Sequence, residues 1–335
     1  MPQTATSAGS LTVRNDTIDF VRTLACFGVV FVHVHSSTPF AAAASRRLLD
    51  FCVPFFFVTA VTFFAKGLSA RTSLGPALAK IWKRIGIPFV AWSFLYAGLI
   101  LTKNQLSHKA SSFNAIPIFL YGSSAEHLYY LPQLAMMQAI GLSSYSLAAQ
   151  RQATAALAVL LAALFYLWWG TAHRYFGMTS APHLITYLIA GFYLASRLNQ
   201  IKINWWFIAV GGVLVVLILI GIGSGGETYT GALPFLLRNL PLGGVGLLLL
   251  SLGAAALRFP KATAVVFSAT YGIYLSHVLF LEAFEFLDER ILHSSIVYTF
   301  STKLLISLVI FIISLAFTLT IRRFAALRTV FLGEN

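Results

Sequence analysis

The most informative segment of this sequence is Asp19-Phe-Val-Arg22-Thr-Leu-Ala-Cys-Phe-Gly-Val-Val-Phe-Val-His33-Val-His35. It is apolar enough to cross a bilayer, yet it contains one acid, one arginine and two histidines. Ionisable side chains inside a membrane span are costly, and they usually face a protein interior or a wet cavity where they find partners. We therefore predict a transmembrane helix with a polar stripe, which the rest of the chain surrounds.

The spacing of the polar residues places three of them on one side of this helix. Arg22 and His33 are eleven residues apart, which corresponds to about three turns and about 16 Å of helix. Asp19 precedes Arg22 by three residues, shares the stripe and is placed to form an ion pair with it. His35 lies about 200° from His33 on a helix, so we expect it to pack or to assist at the outer surface.

Composition excludes an ordinary soluble domain. Hydrophobic residues make up 58% of the 335 residues, charged residues 10%, and the mean hydropathy is +0.82, whereas soluble domains carry about a quarter charged residues. The apolar runs have the length of membrane helices, about 20 residues, and not that of barrel strands. The predicted fold class is all-α, a polytopic transmembrane helix bundle of about ten spans.

The apolar runs form one integral membrane domain, 1–335, with a polar N-terminus at 1–16 and a tail at 322–335. The predicted spans are 17–36, 49–65, 84–102, 127–148, 152–170, 181–198, 203–222, 231–256, 262–286 and 300–321. A loop with a short interfacial helix is expected at 107–122. A second loop, between the second and third spans, holds the densest basic cluster: Lys66, Arg71, Lys80, Lys83 and Arg84.

The distribution of basic residues predicts the orientation of the bundle. With the N-terminus inside, fourteen Lys and Arg residues fall on the cytoplasmic side, and seven, Lys303 among them, fall in outer loops. Such a bias follows the positive-inside rule, so we expect both termini to be cytoplasmic. Because the net charge of +13 is concentrated at span ends, no nucleic-acid partner is expected.

Five segments occur in order along nearly the whole chain: Asp19-x-x-Arg22 with His33 after ten residues, Val53-Pro-Phe-Phe-Phe-Val-Thr-Ala60, Lys83-Arg-Ile-Gly-Ile-Pro-Phe-Val-Ala-Trp92, Glu126-His-Leu-Tyr-Tyr-Leu131 and Ser268-Ala-Thr-Tyr-Gly-Ile-Tyr-Leu-Ser-His277. Together they resemble the acyltransferase-3 family of integral membrane acyltransferases. Thr59-Ala60 stands where the family has Ser-Gly, and Tyr129 replaces the usual tryptophan. By size, the chain resembles the O-acetyltransferases of the enterobacterial-common-antigen type.

This resemblance implies transfer of an acyl group, commonly acetyl, from cytoplasmic acetyl-CoA to a hydroxyl of a cell-envelope glycan or lipid-linked sugar. It implies a multi-pass protein of the bacterial inner membrane, with the donor, the saccharide acceptor and membrane lipids as partners and no metal. The acceptor, a longer acyl donor and the oligomeric state are left open at this point.

Histidine is the natural base for this chemistry, because acyl transfer to an alcohol needs a group near neutral pKa to take the hydroxyl proton. His33 is the candidate general base, and formation of an acyl-histidine is the alternative. Asp19 and Arg22 complete the candidate catalytic group.

Coenzyme A is polyanionic and needs cations at the cytoplasmic mouth. Lys80, Lys83 and Arg84 are the candidate cofactor-binding residues, and Arg22 would guide the donor inward. The alternative for the three basic loop residues is ordinary positive-inside charge.

Four further polar residues are candidates for binding the acceptor. His127 and His277 match the other histidines of the family, and we place both near the outer half of the bundle. Arg238 and Glu282 lie within predicted spans, where each would bind a polar sugar or pair with the other. A transporter or flippase that uses the same charges is the rival interpretation, with Gly243-Gly244 as a possible helix break. A sensor or scaffold is a third.

Overall fold

The computed structural model describes residues 16–68, 73–106, 114–148, 181–198, 205–219, 242–254, 258–260, 263–289 and 296–334. Their regular structure is entirely helical, and no strand occurs among them. The α-helices are α1 (Asp16–His33), α2 (Pro39–Lys66), α3 (Leu74–Ile81), α4 (Ile87–Leu106), α5 (Tyr130–Ala148), α6 (Ala181–Leu198), α7 (Trp205–Leu219), α8 (Leu242–Gly253), α9 (Thr263–Leu287), α10 (Phe300–Ile321) and α11 (Ala325–Leu332). Single π-helical turns occur at Trp82–Gly86 and Pro117–Tyr121.

Among the described residues, four helical runs are long and apolar enough to cross a membrane. They are Pro39–Lys66, Leu74–Gln105, Thr263–Leu287 and Phe300–Ile321. The run Leu74–Gln105 combines α3, the first π-helical turn and most of α4. The all-helical class and four membrane-type helices are thereby confirmed. α1 is not one of the four, so its crossing of the membrane, the total of ten spans and the orientation of the termini stay predictions.

Several helix bounds agree with the prediction from apolar periodicity. The predicted spans 181–198 and 300–321 coincide with α6 and α10, and 262–286 differs from α9 by one residue at each end. The predicted span 152–170 lies outside the described residues.

Two helices begin earlier than predicted. α2 starts at Pro39, because the Thr38 hydroxyl accepts a hydrogen bond from the Ala41 amide at 3.3 Å and proline is favourable at the first helical position. α3 starts at Leu74, so Lys80 lies on a helix and not in the predicted loop.

α1 and α9 lie side by side and run in the same direction, which fixes the two ends of the bundle. Near the start of both helices, Arg22 Nη2 donates to the Phe267 carbonyl at 2.8 Å. Further along, the Cys26 thiol contacts the Thr270 carbonyl at 3.4 Å. We call the end with Arg22 the basic end, and the end at which α1 finishes with His33 the histidine end.

The glycines Gly243 and Gly244 bring α8 against α2. A Cβ atom at Gly244 would lie 2.3 Å from the Pro54 carbonyl carbon, and one at Gly243 would lie 2.3 Å from the Asp50 oxygen. Small residues allow such close contact between membrane helices. The pair lies in the first turn of α8, and close helix packing accounts for both glycines. Residues 231–241 of this predicted span lie outside the described residues, so the helix break of the transporter interpretation stays a prediction.

Candidate active site

Three imidazoles meet inside the bundle at the histidine end. The ring centroids of His33 and His277 are 5.2 Å apart, those of His33 and His127 are 6.0 Å apart, and those of His127 and His277 are 4.8 Å apart. His127 and His277 are buried, and the His33 side chain is 18% exposed. The structure therefore brings together three site residues that the sequence analysis took from three separate segments.

The position of His277 follows from the spacing of polar residues along α9. Tyr271, Tyr274 and His277 occur at intervals of three residues, so neighbouring members of the series lie on one side of the helix. His277 Nδ1 is 2.6 Å from the Tyr274 carbonyl oxygen. This contact holds the ring against the α9 backbone.

His127 precedes α5 and depends on a tight turn at Gly122. Gly122 has a φ of +76°, and a Cβ atom there would lie 2.8 Å from the Leu128 carbonyl carbon. Glycine adopts this left-handed conformation without steric cost. The turn directs His127 to α9, where its Nε2 lies 3.3 Å from the Leu275 carbonyl oxygen and the Tyr274 hydroxyl donates to the His127 carbonyl.

The backbone contacts decide which nitrogen of each ring can accept a hydrogen bond. A carbonyl oxygen only accepts, so Nδ1 of His277 and Nε2 of His127 carry hydrogens, and the other nitrogen of each neutral ring is an acceptor. Those nitrogens, His277 Nε2 and His127 Nδ1, are buried and have no hydrogen-bond partner among the residues that the structure describes. Buried polar atoms are normally satisfied, so this pair is suited to receive hydroxyl groups of a ligand.

Glu126 is a neighbour of His33 that the sequence analysis did not assign. Its Oε2 lies 3.9 Å from His33 Nδ1, and its side chain is 91% exposed. At this distance the carboxylate forms no hydrogen bond with the ring, but its negative charge favours the protonated imidazole, an effect that solvent weakens because the side chain is exposed. Its place directly before His127 in the Glu126–Leu131 segment was the signal available in the sequence.

The predicted ion pair between Asp19 and Arg22 is confirmed, with Arg22 Nη2 and Asp19 Oδ1 2.9 Å apart. It lies at the basic end, three turns of α1 from His33, and the structure does not bring it to the imidazoles. Arg22 Nε is buried without a hydrogen-bond partner among the described atoms. This arrangement suits a role at the entrance to the site better than direct contact with a base.

A cavity of about 610 Å³ opens at the basic end. Its lining residues are Pro76, Ala79, Lys80, Lys83, Arg84, Gly333 and Glu334. The three predicted cofactor-binding residues, Lys80, Lys83 and Arg84, therefore share one cavity. Their spacing of three and four residues puts them on one face of a helical run, and the π-helical turn Trp82–Gly86 falls within it, a feature often found at functional sites.

Residues 322–335, for which a tail is predicted, form a wall of this cavity through Gly333 and Glu334. α11 packs on α4, where Trp92 Nε1 donates to the Phe331 carbonyl at 3.0 Å. Arg322 Nε donates to Glu334 Oε2 at 3.0 Å. Gly333, with a φ of +61°, ends α11, and glycine after a helical run was the sequence signal for this element.

Glu282 does not join the histidine cluster. Glu282 forms an ion pair with Lys103 at 2.6 Å, and both side chains are about half exposed. Arg238 lies outside the described residues. The placement of His35 on the far side of a continuing helix is wrong, because α1 ends at His33; His35 follows the helix and lies 3.3 Å from Glu285.

The fold and the site define a helical membrane protein that keeps ionisable side chains inside its bundle. A family model described as an acyltransferase domain, acyltransferase-3, matches residues 15–323. The chain therefore belongs to the acyltransferase-3 family, and its class is that of a membrane acyltransferase. Comparison with curated proteins and with solved structures gives no match.

Proposed function

We propose that this protein transfers an acetyl group from cytoplasmic acetyl-CoA to a hydroxyl of a cell-envelope glycan or lipid-linked sugar. The observation that carries this proposal is the convergence of His33, His127 and His277 at one end of a bundle whose other end holds a basic cavity. In this proposal the basic end faces the cytoplasm of a bacterium, and the histidine end lies toward the outer leaflet of the inner membrane.

The basic cavity fits the chemistry of the donor. Phosphate groups form strong charge-assisted hydrogen bonds with Lys and Arg side chains, and Lys80, Lys83 and Arg84 line the same space. Arg22 Nε is buried and has no partner among the described atoms. It supplies a further hydrogen-bond donor, in addition to these three residues, for a phosphate group of the acyl donor. Binding of the nucleotide part at this mouth leaves the acyl end free to extend toward the histidines.

In this proposal the donor extends from the basic end to the histidine end along α9. Ser268, which Arg322 contacts at the basic end, precedes His277 by nine residues, or about 14 Å of helix. Tyr271 and Tyr274 lie between them, and the Tyr271 hydroxyl donates to the Arg84 carbonyl at 3.3 Å. The acyl-carrying arm of the donor would pass along this face.

At the histidine end, His33 acts as the general base. It removes the proton from the acceptor hydroxyl as the hydroxyl oxygen attacks the thioester carbonyl carbon. A carbon–oxygen bond forms, the carbon–sulfur bond breaks, and the departing sulfur takes the proton back from the His33 imidazolium. Glu126 stabilises that imidazolium, while His127 Nδ1 and His277 Nε2 accept hydrogen bonds from the neighbouring hydroxyls of the sugar.

The proposal is tested by incubating the purified protein with labelled acetyl-CoA and with lipid-linked saccharides from the envelope. We expect release of free CoA and an acetylated saccharide by mass spectrometry. A transporter or flippase would bind or move the saccharide without consuming acetyl-CoA. Saccharide movement with acetyl-CoA left intact would overturn the proposed function.

Gly333→Ala is expected to weaken both the C-terminal wall and donor binding. A Cβ atom at this position would lie 2.6 Å from the Arg84 carbonyl oxygen, and the backbone conformation is strained for alanine. Such strain costs about 1–3 kcal/mol, which we expect as a lower melting temperature and an increased KM for acetyl-CoA. Gly75→Ala is the matched control, because a Cβ atom there meets nothing within 4 Å. An unchanged KM in Gly333→Ala would contradict a donor site at this wall.

A further inference from the structure

Lys303 is a buried ammonium group immediately beside the end of α1. Its side chain is 0% exposed, although the residue lies in the first turn of α10. Lysine is almost never fully buried unless it is paired. Its position therefore requires a specific set of partners.

Each N–H group of the Lys303 ammonium finds an oxygen. Nζ donates to the Val34 carbonyl, to Ser36 Oγ at 2.8 Å and to Ser45 Oγ at 2.7 Å. It also lies 4.7 Å from the centre of the Phe31 ring, a favourable cation–π arrangement. A lysine has three donors, so these three neutral oxygens satisfy it completely.

These contacts tie the segment that follows His33 to two other helices. Val34 and Ser36 come directly after α1, Ser45 belongs to α2, and Lys303 belongs to α10. The same segment is held a second time, because the Ser37 amide donates to the Tyr298 carbonyl and the Tyr298 amide donates to Ser37 Oγ, both at 3.0 Å. The last turn of α1, which ends with His33, is thereby fixed relative to α2 and α10, and α10 packs against α9.

We propose that Lys303 is a positioning residue that holds the end of α1 so that His33 faces His277 and His127. This inference rests on the proposed function of His33 as the base. Lys303 acts through the backbone at Val34 and does not contact the reacting groups. The contacts compensate the cost of burying a charged group at a site where an apolar side chain would cost less to bury.

The test compares Lys303→Met with Ser307→Ala in the purified full-length protein. Methionine is also unbranched, is one atom shorter than lysine, and has no hydrogen-bond donor. We expect kcat to fall at least about tenfold, because small misplacements of a reacting group are costly, while the KM for acetyl-CoA, bound at the other end, changes less than about twofold. Ser36→Ala and Ser45→Ala each remove one acceptor and should give smaller losses of the same kind.

Ser307→Ala controls for loss of a buried polar contact on the same helix. Its hydroxyl is buried and donates to the Lys303 carbonyl at 2.7 Å, within α10. We expect a lower melting temperature with kcat retained. An equal loss of kcat in Ser307→Ala and Lys303→Met would overturn the proposal, because the effect would then be one of stability.

A second readout does not depend on acyl transfer. Mass spectrometry would follow the carbethoxylation of His33 by diethyl pyrocarbonate in the wild type and in Lys303→Met. Faster modification of His33 in the variant, with His277 unchanged, supports the positioning role even if the wild type fails to consume acetyl-CoA. Identical rates of His33 carbethoxylation in the wild type and in Lys303→Met would contradict the proposal. It would also be contradicted if Ser36→Ala and Ser45→Ala changed neither kcat nor the rate of carbethoxylation.

Discussion

His33→Ala is expected to reduce kcat for acetyl transfer by about 10³-fold, within the range that general acid–base catalysis contributes. His33 is the member of the cluster with a nearby carboxylate, Glu126, at 3.9 Å, and it ends the helix that begins at the basic mouth. Donor binding is expected to survive, because the cavity at the basic end does not include this residue. Steady-state kinetics and calorimetric titration with CoA would measure the two quantities separately.

His35→Ala is the matched control for this variant. The two histidines are separated by one residue, but His35 lies outside α1, where its side chain is 69% exposed and faces Glu285. We expect its kcat to stay within about twofold of the wild type. A folded His33→Ala protein with wild-type kcat would refute the assignment of the base, and the family membership would stand.

The two chemical routes through His33 are also separable. A general base leaves no covalent trace, whereas nucleophilic catalysis leaves an acetyl group on the imidazole. Mass spectrometry after incubation with acetyl-CoA in the absence of an acceptor distinguishes them. We expect unmodified His33, and an acetylated His33 that accepts transfer to the saccharide would establish the acyl-histidine route.

Local signals in the sequence were sufficient for part of the site. The spacing of Asp19 and Arg22 predicted an ion pair that depends on one helical turn only, and the pair is formed. Continuous apolar runs located α6 and α10, because the length of a membrane helix is set by the bilayer. The meeting of His127 and His277 with His33 depends on packing between distant segments, and no spacing within one helix specifies those distances.

Lys303 shows where charge patterning misleads. A lysine at the start of an apolar run was counted among the outer-loop residues, because flanking bases usually mark the ends of spans. The structure places it inside the bundle with its ammonium group fully hydrogen-bonded. Ser36 and Ser45 come from two other parts of the chain, so the polar site that accepts the charge exists only after folding.

The C-terminal wall escaped prediction for a related reason. The segment 322–335 is short and partly polar, and the stability of an eight-residue helix such as α11 is marginal without tertiary contacts. Tertiary contacts stabilise it: Trp92 donates a hydrogen bond to the Phe331 carbonyl, and Gly333 packs closely against the Arg84 backbone. These contacts join the last residues to the basic cavity, which makes the donor site a product of two distant segments.

The double variant Lys83→Ala/Arg84→Ala is expected to increase the KM for acetyl-CoA and the Kd of CoA by at least about 10²-fold. Each lost hydrogen bond to a charged group costs about 1.5–3 kcal/mol, and about 1.4 kcal/mol corresponds to a factor of ten. Both side chains line the cavity. The expected kcat at saturating donor stays near the wild-type value, because the histidine end is unaltered. Kinetics and calorimetric titration with CoA measure both effects.

Arg323→Ala provides the control for general positive charge at the same end. Arg323 is exposed and does not line the cavity, so its removal should change the KM less than about twofold. Attraction by overall charge is screened by salt, whereas direct contacts with phosphate persist in part. If the KM rises equally in Arg323→Ala and in the double variant, Lys83 and Arg84 act only as positive charges that set the orientation of the protein in the membrane. The acyl donor would then bind elsewhere in the bundle.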